Sequence, residues 1–149
     1  MNNKRAKITV DILMIIFFAL SFVRWEGSNG LIFHALAGTA FAWLMLMHLY
    51  LNRKWLVAVT KSMREKKANK KTKRLYIIDM MLITAWGIAI ITGFLAIPPF
   101  FYGIEALGVF GRIHAISSRV GGILILVHIY QHLGQIRAYM GIKKKMRPC

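Results

Sequence analysis

Long apolar stretches constrain the fold of this chain more than any other feature. Four of them, at residues 8–23, 31–51, 75–97 and 109–133, make up more than half of its 149 residues. A helix needs about 20 mainly apolar residues to cross the hydrocarbon core of a membrane. The sequence therefore predicts an all-α membrane protein with one domain, folded as a four-helix transmembrane up-and-down bundle.

The basic residues predict how this bundle lies in the membrane. The net charge is +16, and three Lys or Arg precede the first stretch, ten lie in a connector at 52–74, and five lie in a tail at 136–149. Because cytoplasmic loops are enriched in Lys and Arg, we expect both termini and the connector on the cytoplasmic side of the cell membrane. This distribution favours membrane lipid as the partner of the charge, and we expect no nucleic acid partner.

Local sequence predicts that the first span is not cleaved and where the third span ends. The first span follows a basic segment, as in a signal peptide, but no small-residue cleavage site follows Ser21. We therefore expect it to remain in the protein as a membrane helix. Pro98 and Pro99 are expected to end the third span, since proline cannot continue a regular helix.

Histidines recur at one interval in the second and fourth stretches. His34 and His48 are fourteen residues apart, and so are His114 and His128. At about 100° per residue, each pair lies on nearly one face of its helix, with about 21 Å between its members along the axis. Histidine is rare within hydrocarbon, and it is a candidate functional residue when it occurs there.

Two haems explain this pattern. In an up-and-down bundle the second and fourth helices are parallel, so their histidines fall at two matched depths. The pairing this predicts is His34 with His114 for an outer haem and His48 with His128 for an inner haem. Ligation by two histidines suits electron transfer, and the absence of a Cys-x-x-Cys-His motif indicates haem b.

Further side chains are expected near these haems. Gly38 and Gly121 lie on the histidine faces, where a flat macrocycle needs room. Arg24, Arg112 and Arg119 are the candidates for pairing with haem propionates, because a guanidinium makes strong hydrogen bonds to carboxylates.

Three residues near the cytoplasmic boundary have open roles. Asp11 and Asp79 are expected to pair with the neighbouring basic segments, and proton delivery to a quinone is the alternative. His132 follows His128 by one helical turn. It can replace His128 as a ligand, bond to the haem or a quinone, or face the cytoplasmic interface.

Other functions compete with the haem interpretation. A zinc or copper site in a transporter or sensor can be built from His48, His128, His132 and Asp79, but it leaves His34 and His114 unexplained. A structural subunit without cofactor would use its histidines only for hydrogen bonds between helices. The chain has no nucleotide-binding or nucleophile motif, so we expect it to be the electron-transfer subunit of a membrane oxidoreductase and not a stand-alone catalyst.

The chain resembles a known family in these features together. Its histidine pairs, its basic connector and the run from His48 to Trp55, which reads His-Leu-Tyr-Leu-Asn-Arg-Lys-Trp, are similar to those of the flavinylation-associated cytochromes, within the four-helix di-haem cytochromes b. The resemblance covers residues 8–133. It implies that His34, His48, His114 and His128 are axial ligands. It also implies electron transfer across the membrane, from a quinol or an inner-side donor to an extracytoplasmic flavinylated protein.

Overall fold

The computed structural model describes residues 3–23, 28–102 and 108–139. These residues form four helices, α1 (Asn3–Phe22), α2 (Ser28–Arg64), α3 (Lys70–Tyr102) and α4 (Gly108–Tyr139), and within the three ranges there is no strand. The prediction of an all-α protein with four helices is confirmed.

Three of the helices are long and apolar enough to cross a membrane. By length and composition, the candidate spans are Asn29–Arg64 in α2, Lys70–Ala96 in α3 and Gly108–Gly134 in α4. Large apolar side chains on these helices, among them Leu36 and Leu126, are well exposed, as lipid-facing residues are. Helix α1 has only 20 residues and several charges. Its crossing of the membrane stays a prediction.

The prolines of α3 do not end the helix. Helix α3 continues to Tyr102, three residues beyond Pro99, so the prediction that the two prolines end the helix is wrong. Pro98 and Pro99 lack the amide hydrogens that would reach the carbonyls of residues 94 and 95. The loss of two hydrogen bonds so near a helix end does not prevent one further turn.

The basic connector is mostly helical. Helix α2 runs to Arg64 and α3 begins at Lys70. At the end of α2, the amides of Lys66 and Lys67 donate to the carbonyls of Met63 and Ser62, and Lys66 has a positive φ of 56°. This is the Schellman pattern of a helix C-terminus. At the start of α3, the side chain of Asn69 accepts a hydrogen bond from the amide of Thr72 at 2.8 Å, as an N-cap does.

The chain folds as two compact units, Met1–Lys67 and Ala68–Cys149. In the first hairpin, α1 packs on α2, and the ring centroids of Phe18 and Phe41 are 5.8 Å apart. In the second hairpin, α3 packs on α4, where the indole of Trp86 lies against Gly121. Phe41 and Trp86 are among the most buried large side chains of their hairpins.

Within each hairpin, the two helices pair in the same register. The cross-helix neighbours are Asp11 with His48, Phe18 with Phe41 and Ser21 with His34 in the first hairpin, and Asp79 with His128, Trp86 with Gly121 and Ala89 with His114 in the second. On the first helix of each hairpin these positions follow one another at intervals of seven and three residues, and on the second helix at seven and seven. The chain therefore contains the same helical hairpin twice.

Candidate functional site

In each hairpin, the histidine nearer the start of the second helix is held by a backbone carbonyl. We call these residues, His34 and His114, the outer histidines, and His48 and His128 the inner histidines. The Nδ1 atom of His34 lies 2.8 Å from the carbonyl oxygen of Ser21, and that of His114 lies 2.8 Å from the carbonyl oxygen of Ala89. A carbonyl oxygen can only accept a hydrogen bond, so Nδ1 carries the proton and donates it in both cases. Ser21 and Ala89 occupy equivalent positions in their hairpins, so the two hydrogen bonds are equivalent as well.

The inner histidine of each hairpin is held by a carboxylate. The Nδ1 atom of His48 lies 2.6 Å from Oδ1 of Asp11, and that of His128 lies 2.7 Å from Oδ1 of Asp79. An ionised carboxylate is an acceptor only, so Nδ1 again donates. From the sequence, both acids are expected to pair with the basic segments or to deliver protons to a quinone. The alternative zinc or copper site places Asp79 beside His128, but no local sequence pattern indicates the contact of Asp11 with His48.

These four bonds define the chemistry of the histidines. In a neutral imidazole with its proton on Nδ1, the other nitrogen, Nε2, carries the lone pair that binds a metal. Metal-ligating histidines in proteins are oriented in this way, by a carboxylate or carbonyl on the nitrogen that does not ligate. In their neutral form, all four predicted ligands therefore have the orientation and the tautomer of a metal ligand.

The two inner histidines differ in their surroundings. The side chain of Asp11 is 47% exposed and that of Asp79 only 10%. Beside His48, Asn52 accepts a hydrogen bond from Lys7 at 2.8 Å and donates one to the carbonyl of His48 at 2.9 Å. Its amide nitrogen also lies 3.5 Å from Nε2 of His48, a weaker contact that a ligand on Nε2 can replace.

In the second hairpin, His132 occupies the place of Asn52. Its ring lies 4.5 Å from the ring of His128, and its Nε2 atom lies 4.0 Å from Oδ1 of Asp79. The imidazole is 17% exposed, so it points toward Asp79 within its own hairpin. One ligand atom from each of Asp79, His128 and His132 lies within 4.8 Å of the others. Three of the four residues of the predicted zinc or copper site are thus together.

The glycines of the histidine faces have different neighbours. A Cβ atom built on Gly38 would meet nothing within 4 Å, whereas one on Gly121 would lie 2.8 Å from Cε2 and Nε1 of Trp86. Gly121 therefore makes room for an indole of its own hairpin, a neighbour that no sequence pattern indicates. A third glycine, Gly93, touches a predicted ligand, since its Cβ would lie 3.0 Å from Nδ1 of His114.

Of the three predicted arginines, the two that the structure describes, Arg112 and Arg119, make no hydrogen bond to a described histidine. Arg112 and Arg119 are exposed on α4, and Arg24 lies outside the described residues. Their pairing with propionates stays a prediction. The pairing of His34 with His114 and of His48 with His128 also stays a prediction, because each histidine contacts residues of its own hairpin.

Comparisons of the chain with protein-family models, with curated proteins and with solved structures found no match. The function is therefore argued from the side chains of the two hairpins. The recurring element is a histidine fixed through Nδ1, once near each end of both hairpins.

Proposed function

We propose that the protein is a di-haem b membrane cytochrome that relays electrons across the cytoplasmic membrane. The observation that carries this proposal is the shared orientation of four histidines, each of which donates from Nδ1 to an oxygen atom at 2.6–2.8 Å. Histidines that only joined helices would have no reason to use the same nitrogen, Nδ1, for this contact four times. The proposed ligand pairs are His34 with His114 and His48 with His128.

The residues present fit haem. Axial ligation needs an imidazole with a lone pair on one nitrogen and a fixed ring, and the Nδ1 bonds supply both. Bound haem b supplies reversible one-electron exchange, and two histidines on the iron leave no position for a substrate. The protein orients the imidazoles through Asp11, Ser21, Asp79 and Ala89, and its apolar helices keep water away.

The direction of the chain in the membrane follows from charge. With α1 as a fourth span, both termini and the basic residues around 52–74 lie in the cytoplasm. The inner histidines then lie near the cytoplasmic side and the outer histidines near the other. The resemblance to the flavinylation-associated cytochromes supports a quinol or an inner-side donor and an extracytoplasmic flavoprotein as acceptor.

A reduced-minus-oxidised spectrum with pyridine haemochrome quantitation tests the proposal. Wild-type protein made with ample haem should contain about two haems b per chain, as two bis-histidine sites require. The variants H48A and H114A should each lose about one haem, because each removes one ligand from a different site. H132A is the matched control, a fifth histidine in the same bundle, and should keep both haems. Well-folded wild-type protein without haem would refute the proposal.

A second candidate is a zinc or copper site in a transporter or sensor. The cluster of Asp79, His128 and His132 favours it, since an acid and two imidazoles suit a tetrahedral zinc. The first hairpin has Asn52 in place of His132, and the cluster does not account for His34 or His114. Metal analysis of the same samples separates the two candidates. Zinc or copper that is lost in H132A, with no haem in wild type, would establish the second.

A further inference from the structure

The four histidines fall into two classes by the charge of their partner. Both outer histidines donate to a neutral backbone carbonyl, and both inner histidines donate to the carboxylate of an aspartate. The two hairpins agree in this division, although they differ at most of the surrounding positions. The charge of the partner therefore depends on whether the histidine is an outer or an inner one, and both hairpins follow this rule.

We infer that Asp11 and Asp79 are positioning residues that lower the reduction potential of the inner haem relative to the outer one. This inference rests on the proposed function and on the pairing of His48 with His128. It adds a direction to that function, since electrons then move spontaneously from the cytoplasmic level to the outer level. It also gives each acid a functional role, which the predicted pairing with lysine or arginine would not explain.

The physical argument concerns charge near the iron. A hydrogen bond to a carboxylate is stronger than one to a neutral carbonyl and makes the imidazole a stronger electron donor. The negative charge also favours the oxidised iron, which has one more positive charge than the reduced iron. Hydrogen bonding around the axial ligand is one of the means by which a protein sets the potential of haem.

The two acids should not contribute equally. Asp79 is 10% exposed and Asp11 is 47% exposed. A charge interacts more strongly across a low-dielectric interior than near water, so Asp79 should have the larger effect. The nearby cation Lys7 is hydrogen-bonded to Asn52 rather than to Asp11, and the exposed connector cations are screened by salt. These positive charges therefore weaken the effect of the acids without reversing it.

Potentiometric titration of the full-length protein, followed by the reduced haem absorbance, tests this inference. The variants are D11N and D79N, which keep the shape of the side chain and remove its charge. The matched control is E65Q, because Glu65 pairs with Lys67 at 2.8 Å and contacts no histidine. Wild type should titrate as two one-electron components of different potential.

We expect both aspartate variants to raise the lower of the two potentials and to leave the higher one unchanged. D79N should increase the equilibrium constant for reduction of this haem about tenfold, which raises its potential by about 59 mV for a one-electron couple. D11N should raise the same component by less, and E65Q should match wild type. Because both acids act on one component, this result would also establish that His48 and His128 share a haem.

Other outcomes would overturn the inference. They are an unchanged lower potential, a shift of the higher component, and action of the two acids on different components. If D11N and D79N both lost haem while wild type kept it, the acids would be structural supports of the ligands and not regulators of potential. A wild-type protein without haem would instead refute the proposed function, so the two failures are distinguishable.

Discussion

Trp86 lies so close to Gly121 that a Cβ atom on the glycine would stand 2.8 Å from two atoms of the indole. The indole itself is buried, so it has little freedom to move away. We expect G121A to lower the free energy of unfolding by about 1–3 kcal/mol, the usual effect of overpacking. Thermal unfolding in detergent measures this.

The control for that variant is G87A in the same hairpin. A Cβ atom at Gly87 would meet nothing within 4 Å, and alanine favours a helix over glycine by roughly 0.5–1 kcal/mol. G87A should therefore be as stable as wild type or more so. Equal stability of G121A and G87A would show that the contact between Trp86 and Gly121 does not limit packing.

Gly93 lies close to an outer histidine. A Cβ atom there would lie 3.0 Å from Nδ1 and 3.1 Å from Cε1 of His114. G93A should push the imidazole by a few tenths of an ångström and weaken its 2.8 Å bond to the carbonyl of Ala89. Loss of such a supporting contact typically lowers metal affinity by about 10–100-fold.

Titration of haem into protein prepared without it measures the effect of G93A. If the protein binds two haems as proposed, one of the two binding steps should weaken and the other should not change. G111A is the control, since a Cβ at Gly111 on α4 meets nothing within 4 Å. An unchanged affinity in G93A would mean that the Ala89 contact does not support His114 as a ligand.

The backbone at the end of α2 has an unfavourable conformation at Lys66, which a glycine would relieve. Lys66 has a φ of 56°, and a left-handed conformation is unfavourable by about 1–2 kcal/mol for a residue with a Cβ atom. K66G should therefore stabilise the protein by about 1 kcal/mol, as measured by thermal unfolding. K66A removes the same side chain but keeps the strain. A gain in K66A equal to that in K66G would assign the effect to the lost charge instead.

The orientation of the chain can be measured with its single cysteine. Cys149 lies in the basic tail at 136–149, which we expect in the cytoplasm because of its excess of Lys and Arg. A membrane-impermeant maleimide should label it only after the membrane is permeabilised. The control is G27C in a C149S background, which places the thiol between α1 and α2 and should be labelled in intact cells. Labelling of Cys149 in intact cells would reverse the proposed topology.

The helices could be predicted from the sequence because their cause is local. Apolar runs of membrane length and the fourteen-residue intervals between histidines follow from neighbouring residues alone. The end of α3 was harder to predict, because Pro98 and Pro99 weaken a helix without fixing where it stops. Gly121 was predicted to make room for haem, yet whether its open side meets a cofactor or an indole depends on what α3 presents to it.

The contacts of the aspartates depend on register between helices, which no local pattern reveals. Asp11 and His48 are 37 residues apart, and Asp79 and His128 are 49 residues apart. A signal was nevertheless present. The intervals from Asp11 to Phe18 and Ser21 recur from Asp79 to Trp86 and Ala89. Comparison of the two halves of the chain would have placed the acids at equivalent positions opposite equivalent histidines.

The carbonyl partners of the outer histidines have a consequence for how this protein can change over generations. A point mutation at codon 21 or 89 replaces a side chain and leaves the acceptor oxygen in place, and Ser21 and Ala89 already differ while making the same 2.8 Å bond. A point mutation at codon 11 or 79 can remove the acceptor's charge. Single substitutions can therefore change the charge of the acceptor of an inner histidine during evolution, whereas they leave the carbonyl acceptor of an outer histidine in place.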